Sequence, residues 1–268
     1  MIASLVNGAP GNRVSILDRG LQFGDGLFET LAVNRNQPCL WQAHMRRLET
    51  GCARLGIAMP AAEILKQESR QLLGDLEQAV LKITITRGSS MRGYAPADGP
   101  VTRILSLFSW DGPATGSVPV SISSWRLGLN PSLAGLKHLN RLEQVMARRA
   151  LPPNAREAIL MDIDDRVVEG IAANLFLQQD ERLLTPRIND CGVAGVVRQL
   201  ILDTAADMGV KVEEAHVDLD ALLAADGLYL SSSLLGIRPV KTILGEDWRP
   251  SVPMHPLLQE VQSRIFQA

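Results

Sequence analysis

The chain has 268 residues, of which 46% are hydrophobic and 21% are charged, and its formal net charge is −2. This length allows two domains with a sizeable core, and interspersed charges of both signs argue against nucleic acid or an anionic membrane as a partner. No apolar run approaches the roughly 18 residues that suggest a membrane span. The amino terminus also lacks the features of a secretory signal. We therefore expect a cytoplasmic protein that acts on a small-molecule substrate.

The cysteines are too few and too scattered to form a framework. Cys39, Cys52 and Cys191 are odd in number and widely spaced in the sequence. Such spacing fits reduced, buried thiols better than disulfides or zinc ligands. The sequence therefore predicts no metal site.

The N-terminal half alternates between strand and helix patterns. Two hairpins are predicted over residues 3–17 and 27–41, because short apolar runs flank Asn- and Gly-containing turns. Further periodic segments predict helices over 42–55 and 61–73 and strands over 79–86 and 101–110. Between the last two strands lies a long loop, residues 87–96, which contains Arg92 and Tyr94. A loop of this length in a compact domain is usually functional or disordered.

A Gly- and Pro-containing break at residues 111–116 predicts the domain boundary. We accordingly predict an N-terminal domain over residues 1–112 and a C-terminal domain over residues 117–268. In the second domain, helices are predicted over 196–208 and 218–225, and strands over 118–125, 158–162, 166–169, 174–178 and 227–230. The last of these strands runs into three serines, 231–233.

One lysine, Lys137, lies next to an irregular loop. Apolar residues recur at Leu139, Leu142, Val145 and Met146, which predicts an amphipathic helix that begins near Lys137. The positive end of such a helix would lower the pKa of the lysine and favour the neutral amine that attacks a carbonyl. From position alone, a solvated structural lysine remains the alternative.

The segment Lys-His-Leu-Asn-Arg-Leu-Glu-Gln-Val, residues 137–145, resembles the catalytic-lysine segment of aminodeoxychorismate lyases. These belong to the fold-type IV family of pyridoxal-phosphate enzymes, which also includes D-amino acid and branched-chain aminotransferases. Other matching segments follow in the family's order, at residues 18–30, 44–48, 169–170, 174–176 and 195–198. The resemblance implies a two-domain α/β fold, with an N-terminal α/β sandwich and a C-terminal barrel-like α/β domain that carries the lysine. It also implies a homodimer.

The same resemblance implies that pyridoxal 5'-phosphate is the cofactor and lies between the two domains. Lys137 would bind it covalently and Glu169 would meet its pyridine nitrogen. Its phosphate would be held by Arg47, by the backbone amides of Val196 and Val197, and by Ser233. These roles suit the residue types, since an arginine fork and a glycine-led helix start both bind anions. A carboxylate beside the ring nitrogen favours the protonated ring.

Arg92 and Tyr94 are candidates for substrate binding, because the family places a substrate-facing loop here. Arg92 would hold a substrate carboxylate and Tyr94 would offer a phenolic donor, whereas a solvated turn is the alternative. One departure favours the lyases over branched-chain aminotransferases. Those enzymes have a tyrosine five residues after the lysine, where this chain has Leu142.

Three functions are therefore open at this stage. The first is a lyase that converts 4-amino-4-deoxychorismate to 4-aminobenzoate and pyruvate, a step in folate biosynthesis. The second is a transaminase acting on D- or branched-chain amino acids. The third is a non-catalytic protein that binds small molecules, and the joint presence of Lys137, Glu169 and Arg47 speaks against it.

Overall fold

The computed structural model describes residues 1–95, 99–113 and 115–267, and the chain divides into two units. Unit 1 comprises Met1–Gly112, Leu136–Asn140 and Phe266–Ala268, and unit 2 comprises Pro113–Gly135 and Arg141–Ile265. The segment with Lys137 thus belongs to unit 1, whereas we had assigned it to a continuous C-terminal domain. Pro96 of the predicted loop, Ala114 of the predicted boundary and the terminal Ala268 lie outside the described residues.

Unit 1 is built on a six-stranded antiparallel sheet with the strand order β2-β1-β6-β5-β3-β4. Alternating apolar residues of β3 and β5 bury one face of each strand, as a period of two requires. Helices α2 and α3 pack against the sheet. The elements are β1 (Ala3–Val6), β2 (Ala9–Pro10), α1 (Arg19–Phe23), β3 (Gly26–Asn34), β4 (Gln37–Pro38), α2 (Trp41–Leu55), α3 (Ala62–Leu73), β5 (Gln78–Thr86) and β6 (Thr102–Phe108).

The strand predicted over residues 13–17 was wrong. The first hairpin closes earlier, at Ala9–Pro10, because Asn7 and Gly8 both adopt a positive φ and form a two-residue turn. The following residues lead into α1 instead. Asp18 caps that helix by accepting a hydrogen bond from the Gly20 N–H at 2.8 Å.

The helix predicted to begin near Lys137 begins only at Leu142, so that prediction was also wrong. The Lys137 carbonyl accepts a hydrogen bond from the Phe28 N–H at 2.9 Å, and the Leu139 N–H donates to the Gly26 carbonyl at 3.0 Å. Residues 137–139 therefore run beside β3, and this strand satisfies backbone groups that we had assigned to a helix. The expected effect of a helix terminus on the pKa of Lys137 loses its basis.

Unit 2 is built on an eight-stranded mixed sheet with the order β12-β11-β10-β13-β14-β7-β8-β9. Its core includes Val120, Ile159, Leu175, Leu230 and Val240, which are buried on central strands. The elements are β7 (Val118–Leu127), α4 (Leu142–Arg149), β8 (Glu157–Asp162), β9 (Val167–Gly170), β10 (Asn174–Gln179), β11 (Arg182–Pro186), α5 (Val196–Met208), β12 (Val212–Ala215), α6 (Leu219–Leu223), β13 (Gly227–Ser232), β14 (Gly236–Leu244) and α7 (Pro256–Ile265).

The mixed α/β class that the sequence predicts is confirmed, and each of the other predicted helices and strands has a counterpart. Among the described residues, none of the helices combines the length and the apolar character that a membrane crossing needs.

Candidate active site

Lys137 lies over an aromatic ring of unit 1. Its Nζ is 4.4 Å from the centroid of the Phe28 ring, and the backbone bond between the same two residues fixes their spacing. The Nζ of Lys82, on the neighbouring strand β5, is 5.1 Å from the same centroid. The electron-rich face of a ring attracts cationic amines at such distances. The Phe28 ring is therefore one of the contacts of the Lys137 side chain.

A buried carboxylate lies next to Phe28 in β3. Glu29 is 1% exposed and accepts two hydrogen bonds from Arg47, from Nε at 2.8 Å and from Nη2 at 2.5 Å. It also bonds to the His44 Nδ1 at 2.6 Å. His44 and Arg47 lie three residues apart on α2, so one helix face delivers both partners to the carboxylate. This cluster, Glu29–His44–Arg47, joins α2 to β3.

The charges in the Glu29–His44–Arg47 cluster are strongly coupled. Burial would raise the pKa of Glu29, but Arg47 and His44 outweigh it and lower that pKa to about 2. Burial is the main cause that lowers the pKa of His44; Glu29 opposes this effect, and Arg47 and Lys137 reinforce it. Glu29 is consequently an anion and His44 a neutral ring at neutral pH. Within the described part of the chain, the buried His44 Nε2 has no hydrogen-bond partner.

Arg47 differs from what we expected of a phosphate-binding arginine. One edge of its guanidinium group is occupied by Glu29, so the paired hydrogen bonds of the fork go to a protein carboxylate. Glu29 therefore fixes the orientation of the Arg47 guanidinium group along this edge.

In unit 2, Glu169 lies on β9 and is buried. Its Oε2 accepts a hydrogen bond from the Val193 N–H at 2.9 Å. Asn174, at the start of β10, donates from Nδ2 to the Val193 carbonyl at 2.9 Å. Side chains thus bind both the backbone N–H and the carbonyl of Val193, and they attach the loop before α5 to strands β9 and β10.

The loop before α5 brings its backbone close to Asn174. A Cβ atom at Gly195 would overlap the Asn174 Oδ1, so only glycine fits there, although its φ of −66° is ordinary. Gly195 is the N-cap of α5 and offers no side-chain hydrogen bond to the first turn. The amides of Val196 and Val197 lie in that turn, where unpaired N–H groups bind anions.

The loop before α5 also forms backbone hydrogen bonds with Gly135, which precedes the lysine segment in the chain. The Gly135 N–H donates to the Gly192 carbonyl at 2.9 Å, and the Ala194 N–H donates to the Gly135 carbonyl at 3.1 Å. These bonds form a short parallel bridge between Gly135 and Val193. The predicted phosphate-binding turn is therefore bonded to the residue that precedes the Leu136–Asn140 segment.

The remaining predicted residues lie in loops. Ser233 is half-buried in the turn between β13 and β14, and its neighbour Ser231 pairs with Asn174 across β10 and β13. The buried Ser231 hydroxyl has no hydrogen-bond partner among the described residues. Ser231 is therefore a second candidate for the phosphate-binding hydroxyl. Arg92 and Tyr94 are exposed.

The three cysteines are free thiols, and burial, with nearby carboxylates, raises the pKa of Cys191 to about 12, so it is not a nucleophile at neutral pH. In the described ranges, no group of three or more metal-binding side chains is found.

Sequence reasoning missed the partners of the predicted residues. Glu29, Phe28 and Asn174 were part of matching segments but had no role, and His44 was interpreted as structural. Glu29 could have been singled out, because it is a charge inside the apolar run of β3, and buried charges need partners. For the Asn174 contact to Val193 the sequence offers no comparable signal.

The chain is similar to known proteins over most of its length. Residues 26–243 match the family model described as amino-transferase class IV. An aminodeoxychorismate lyase from Vibrio harveyi is 36% identical over 97% of this chain and 98% of its own length. A D-alanine aminotransferase from Listeria monocytogenes is 29% identical over 87% of this chain and 83% of its own length.

Among solved structures, a 4-amino-4-deoxychorismate lyase from Pseudomonas aeruginosa aligns with a TM-score of 0.87 and 40% identity, covering 98% of this chain and 97% of that one. These matches define a class of α/β enzymes that includes both lyases and aminotransferases. The chain belongs to the amino-transferase class IV family, and the predicted fold-type IV architecture is confirmed. Enzymes of this family depend on pyridoxal phosphate.

Proposed function

We propose that this protein is a pyridoxal-phosphate-dependent lyase that converts 4-amino-4-deoxychorismate to 4-aminobenzoate and pyruvate. The observation that carries the proposal is the lysine segment, whose sequence resembles that of the lyases and whose amine lies over Phe28. The lyase relatives match this chain over nearly its full length.

The residues described above fit the cofactor in charge and in hydrogen-bonding capacity. Lys137 offers the amine for the covalent bond, and the guanidinium group of Arg47 offers a positive charge for the phosphate. The uncapped start of α5 offers the Val196 and Val197 amides, with Ser233 or Ser231 as a hydroxyl donor. Glu169 offers the carboxylate for the ring nitrogen. The His44 Nε2, buried without a partner among the described residues, is a further acceptor.

Once bound, pyridoxal phosphate supplies an electron sink for a carbanion next to an amino group. The substrate's amino group would displace the amine of Lys137 from the cofactor, and Lys137 would then be a free general base that removes the proton from C4 of the substrate. The bond between C3 and the enolpyruvyl oxygen breaks, and the ring becomes aromatic. The proton held by Lys137 balances the reaction, since the enolpyruvyl group leaves as pyruvate. Glu169 keeps the ring nitrogen protonated, and Arg92 holds a substrate carboxylate.

The experiment compares wild type with Lys137→Ala and with Lys82→Ala. The second variant is a matched control, because it removes the other amine over Phe28. Wild type and Lys82→Ala should show the visible absorbance of bound cofactor and equimolar 4-aminobenzoate and pyruvate. Lys137→Ala should lose both. If the cofactor absorbance persists in Lys137→Ala, the proposed covalent role of this lysine is wrong.

A transaminase is the second candidate, favoured by the D-alanine aminotransferase relatives. It predicts that the amino group of D-alanine or a branched-chain amino acid passes to a 2-oxo acid acceptor. Amino-group transfer without 4-aminobenzoate would therefore select the transaminase. No cofactor absorbance in the wild type would leave the non-catalytic binding protein.

We also propose a homodimer. Apolar side chains of one unit 1 segment are exposed, namely those of Ile16, Leu17 and Leu21. Exposed apolar patches of this kind mark interfaces. Sedimentation should give twice the chain mass, and Ile16→Glu should give monomers.

The three free thiols fit a reducing compartment such as the cytoplasm.

A further inference from the structure

The segment Asp18–Asp25 matches the family but has no role in the reaction proposed above. Its arginine, Arg19, is only 5% exposed, so it needs partners for its charge inside the protein. One partner is Asp25, whose Oδ2 accepts from the Arg19 Nε at 2.8 Å. The same carboxylate accepts two hydrogen bonds from Arg87, which also donates to the last carbonyls of α2.

The other side of the Arg19 guanidinium group holds the loop at residues 90–95. Nη1 donates to the Ser90 Oγ at 3.1 Å, to the Gly93 carbonyl at 3.1 Å and to the Ala95 carbonyl at 3.2 Å. Nη2 donates to the Tyr94 carbonyl at 3.0 Å. Three consecutive carbonyl groups thus point at one buried cation. These are the carbonyls of the loop that carries Arg92 and Tyr94.

The arrangement depends on the shape of arginine. A guanidinium group has five N–H donors in a rigid plane and can span carbonyls that a lysine ammonium cannot reach together. The Arg19 Cζ also lies 5.0 Å from the Phe23 ring centroid, and that ring is 5.4 Å from the ring of Tyr94. The loop is therefore fastened both through its backbone and through Tyr94.

The backbone of the loop is held in place, whereas two of its side chains face solvent. Its backbone is bonded to a buried arginine, while the Tyr94 side chain and that of Arg92 are exposed. Recognition elements that are ordered before binding avoid the entropic cost of becoming ordered with the ligand. We propose that Arg19 is a positioning residue that pre-orders this loop for a substrate carrying carboxylates. This inference deepens the proposed function and rests on it for the identity of the substrate.

The effect of replacing Arg19 depends on the fraction of molecules in which the loop has its binding conformation. If the loop is in its binding conformation for only a tenth of the time, the apparent affinity falls by about tenfold. The loss should appear in KM, because the cofactor and Lys137 are held by other residues. Arg19→Lys keeps the charge but not the fork, so it is the first variant to make. Ser90→Ala removes the hydroxyl that accepts from Arg19 and donates to the Met91 carbonyl, and it should act in the same direction by about threefold.

The test combines limited trypsin digestion with steady-state kinetics of the holoenzyme. The Arg92–Gly93 bond lies in the loop and is a trypsin site, so its cleavage rate reports loop opening. In Arg19→Lys this bond should be cut about tenfold faster and KM should rise about tenfold, with the main loss in KM rather than in kcat. Arg103→Lys is the matched control, because Arg103 pairs with Glu68 elsewhere in unit 1 and should change neither value.

Two results would overturn the inference. One is faster cleavage in Arg19→Lys with an unchanged KM, since the loop would then be anchored without serving the substrate. The other is a cleavage rate equal to that of the wild type. If Arg19→Lys does not fold, Ser90→Ala decides between the same outcomes. If the wild type makes no 4-aminobenzoate, the proposed function fails, and the loop is tested by KM for the amino acid or oxo acid that the wild type accepts.

Discussion

The Val193 N–H donates a hydrogen bond of 2.9 Å to the carboxylate of Glu169. Asn174 holds the carbonyl of the same residue, and Gly195 follows two positions later as the start of α5. One stretch of backbone, residues 193–195, therefore supports two predicted cofactor contacts. These are the Glu169 carboxylate, predicted to meet the ring nitrogen, and the Val196 and Val197 amides, predicted to meet the phosphate.

The variant Glu169→Gln should separate the structural role of Glu169 in holding Val193 from its proposed role in the reaction. The amide can still accept the Val193 N–H, so cofactor affinity should change by less than about threefold. Product formation should fall at least about tenfold, because a neutral amide stabilises the protonated ring less, and one pKa unit of the ring nitrogen is a factor of ten. Cofactor titration and kcat are the measurements.

Glu143→Gln is the control for Glu169→Gln, since Glu143 also accepts a backbone N–H, that of Gly128 at 2.8 Å. It should leave kcat unchanged. A Glu169→Gln enzyme with the kcat of the wild type would remove Glu169 from the reaction.

The strands and helices were predictable where the signal is local. The apolar period of α2 and the left-handed Gly56 at its end are both written in a few neighbouring residues. The lysine segment was not predictable in this way. Its apolar spacing suggested a helix, but pairing with β3, more than 100 residues away in the chain, satisfies its backbone instead. Contacts at such separations leave no periodic trace in either segment.

The site shows the same division. Lys137, Arg47 and Glu169 could be assigned because they lie in segments that resemble the family. The edge of Arg47 that Glu29 occupies could not be assigned, since it depends on how α2 is rotated against β3. The same holds for Arg19, whose three carbonyl partners lie in a loop about 70 residues later.

Glu29 should contribute to stability in a defined range of pH. Its pKa is lowered from 4.5 to about 2 on folding, so the unfolded chain binds more protons between these values. Stability from this group is therefore complete above pH 4.5 and is lost as the pH falls towards 2. The full contribution is on the order of 3 kcal/mol, since each pKa unit is worth about 1.4 kcal/mol.

The measurement is urea unfolding of wild type and Glu29→Gln between pH 3 and pH 7. The difference in unfolding free energy between them should be constant above pH 5 and should shrink as the solution becomes more acidic. Glu49→Gln, at an exposed position of α2, provides the control. A difference that is the same at pH 3 and pH 7 would contradict the ion pairing of Glu29 with Arg47.

The three cysteines should be nearly inert in the folded protein. Burial raises the pKa of Cys39, raises that of Cys52 to about 11, and, with nearby acids, raises that of Cys191 to about 12. Because thiolate is the reactive form, Cys52 and Cys191 should react with a disulfide reagent at pH 8 at least about 100-fold more slowly in the folded protein than in the unfolded chain, and Cys39 should also react more slowly. A single thiol that reacts as fast in the folded protein would show that its site is open.

The contact between Gly195 and Asn174 gives a test of the phosphate-binding turn that does not depend on turnover. In Gly195→Ala the new methyl group overlaps the Asn174 Oδ1, so either the Asn174 amide, with its bond to Val193, or the start of α5 must shift. We expect a loss of about 1–3 kcal/mol in stability and at least about tenfold weaker cofactor binding. Adding Asn174→Ala removes the overlapping atom, so Gly195→Ala should cost less in that background, and the two changes should not add. Gly11→Ala is the control, because a Cβ atom there would meet only the Ala9 carbonyl oxygen, at an ordinary contact distance of 3.9 Å. Additive effects in this cycle would show that Asn174 does not support the turn, and cofactor titration with thermal unfolding measures both quantities.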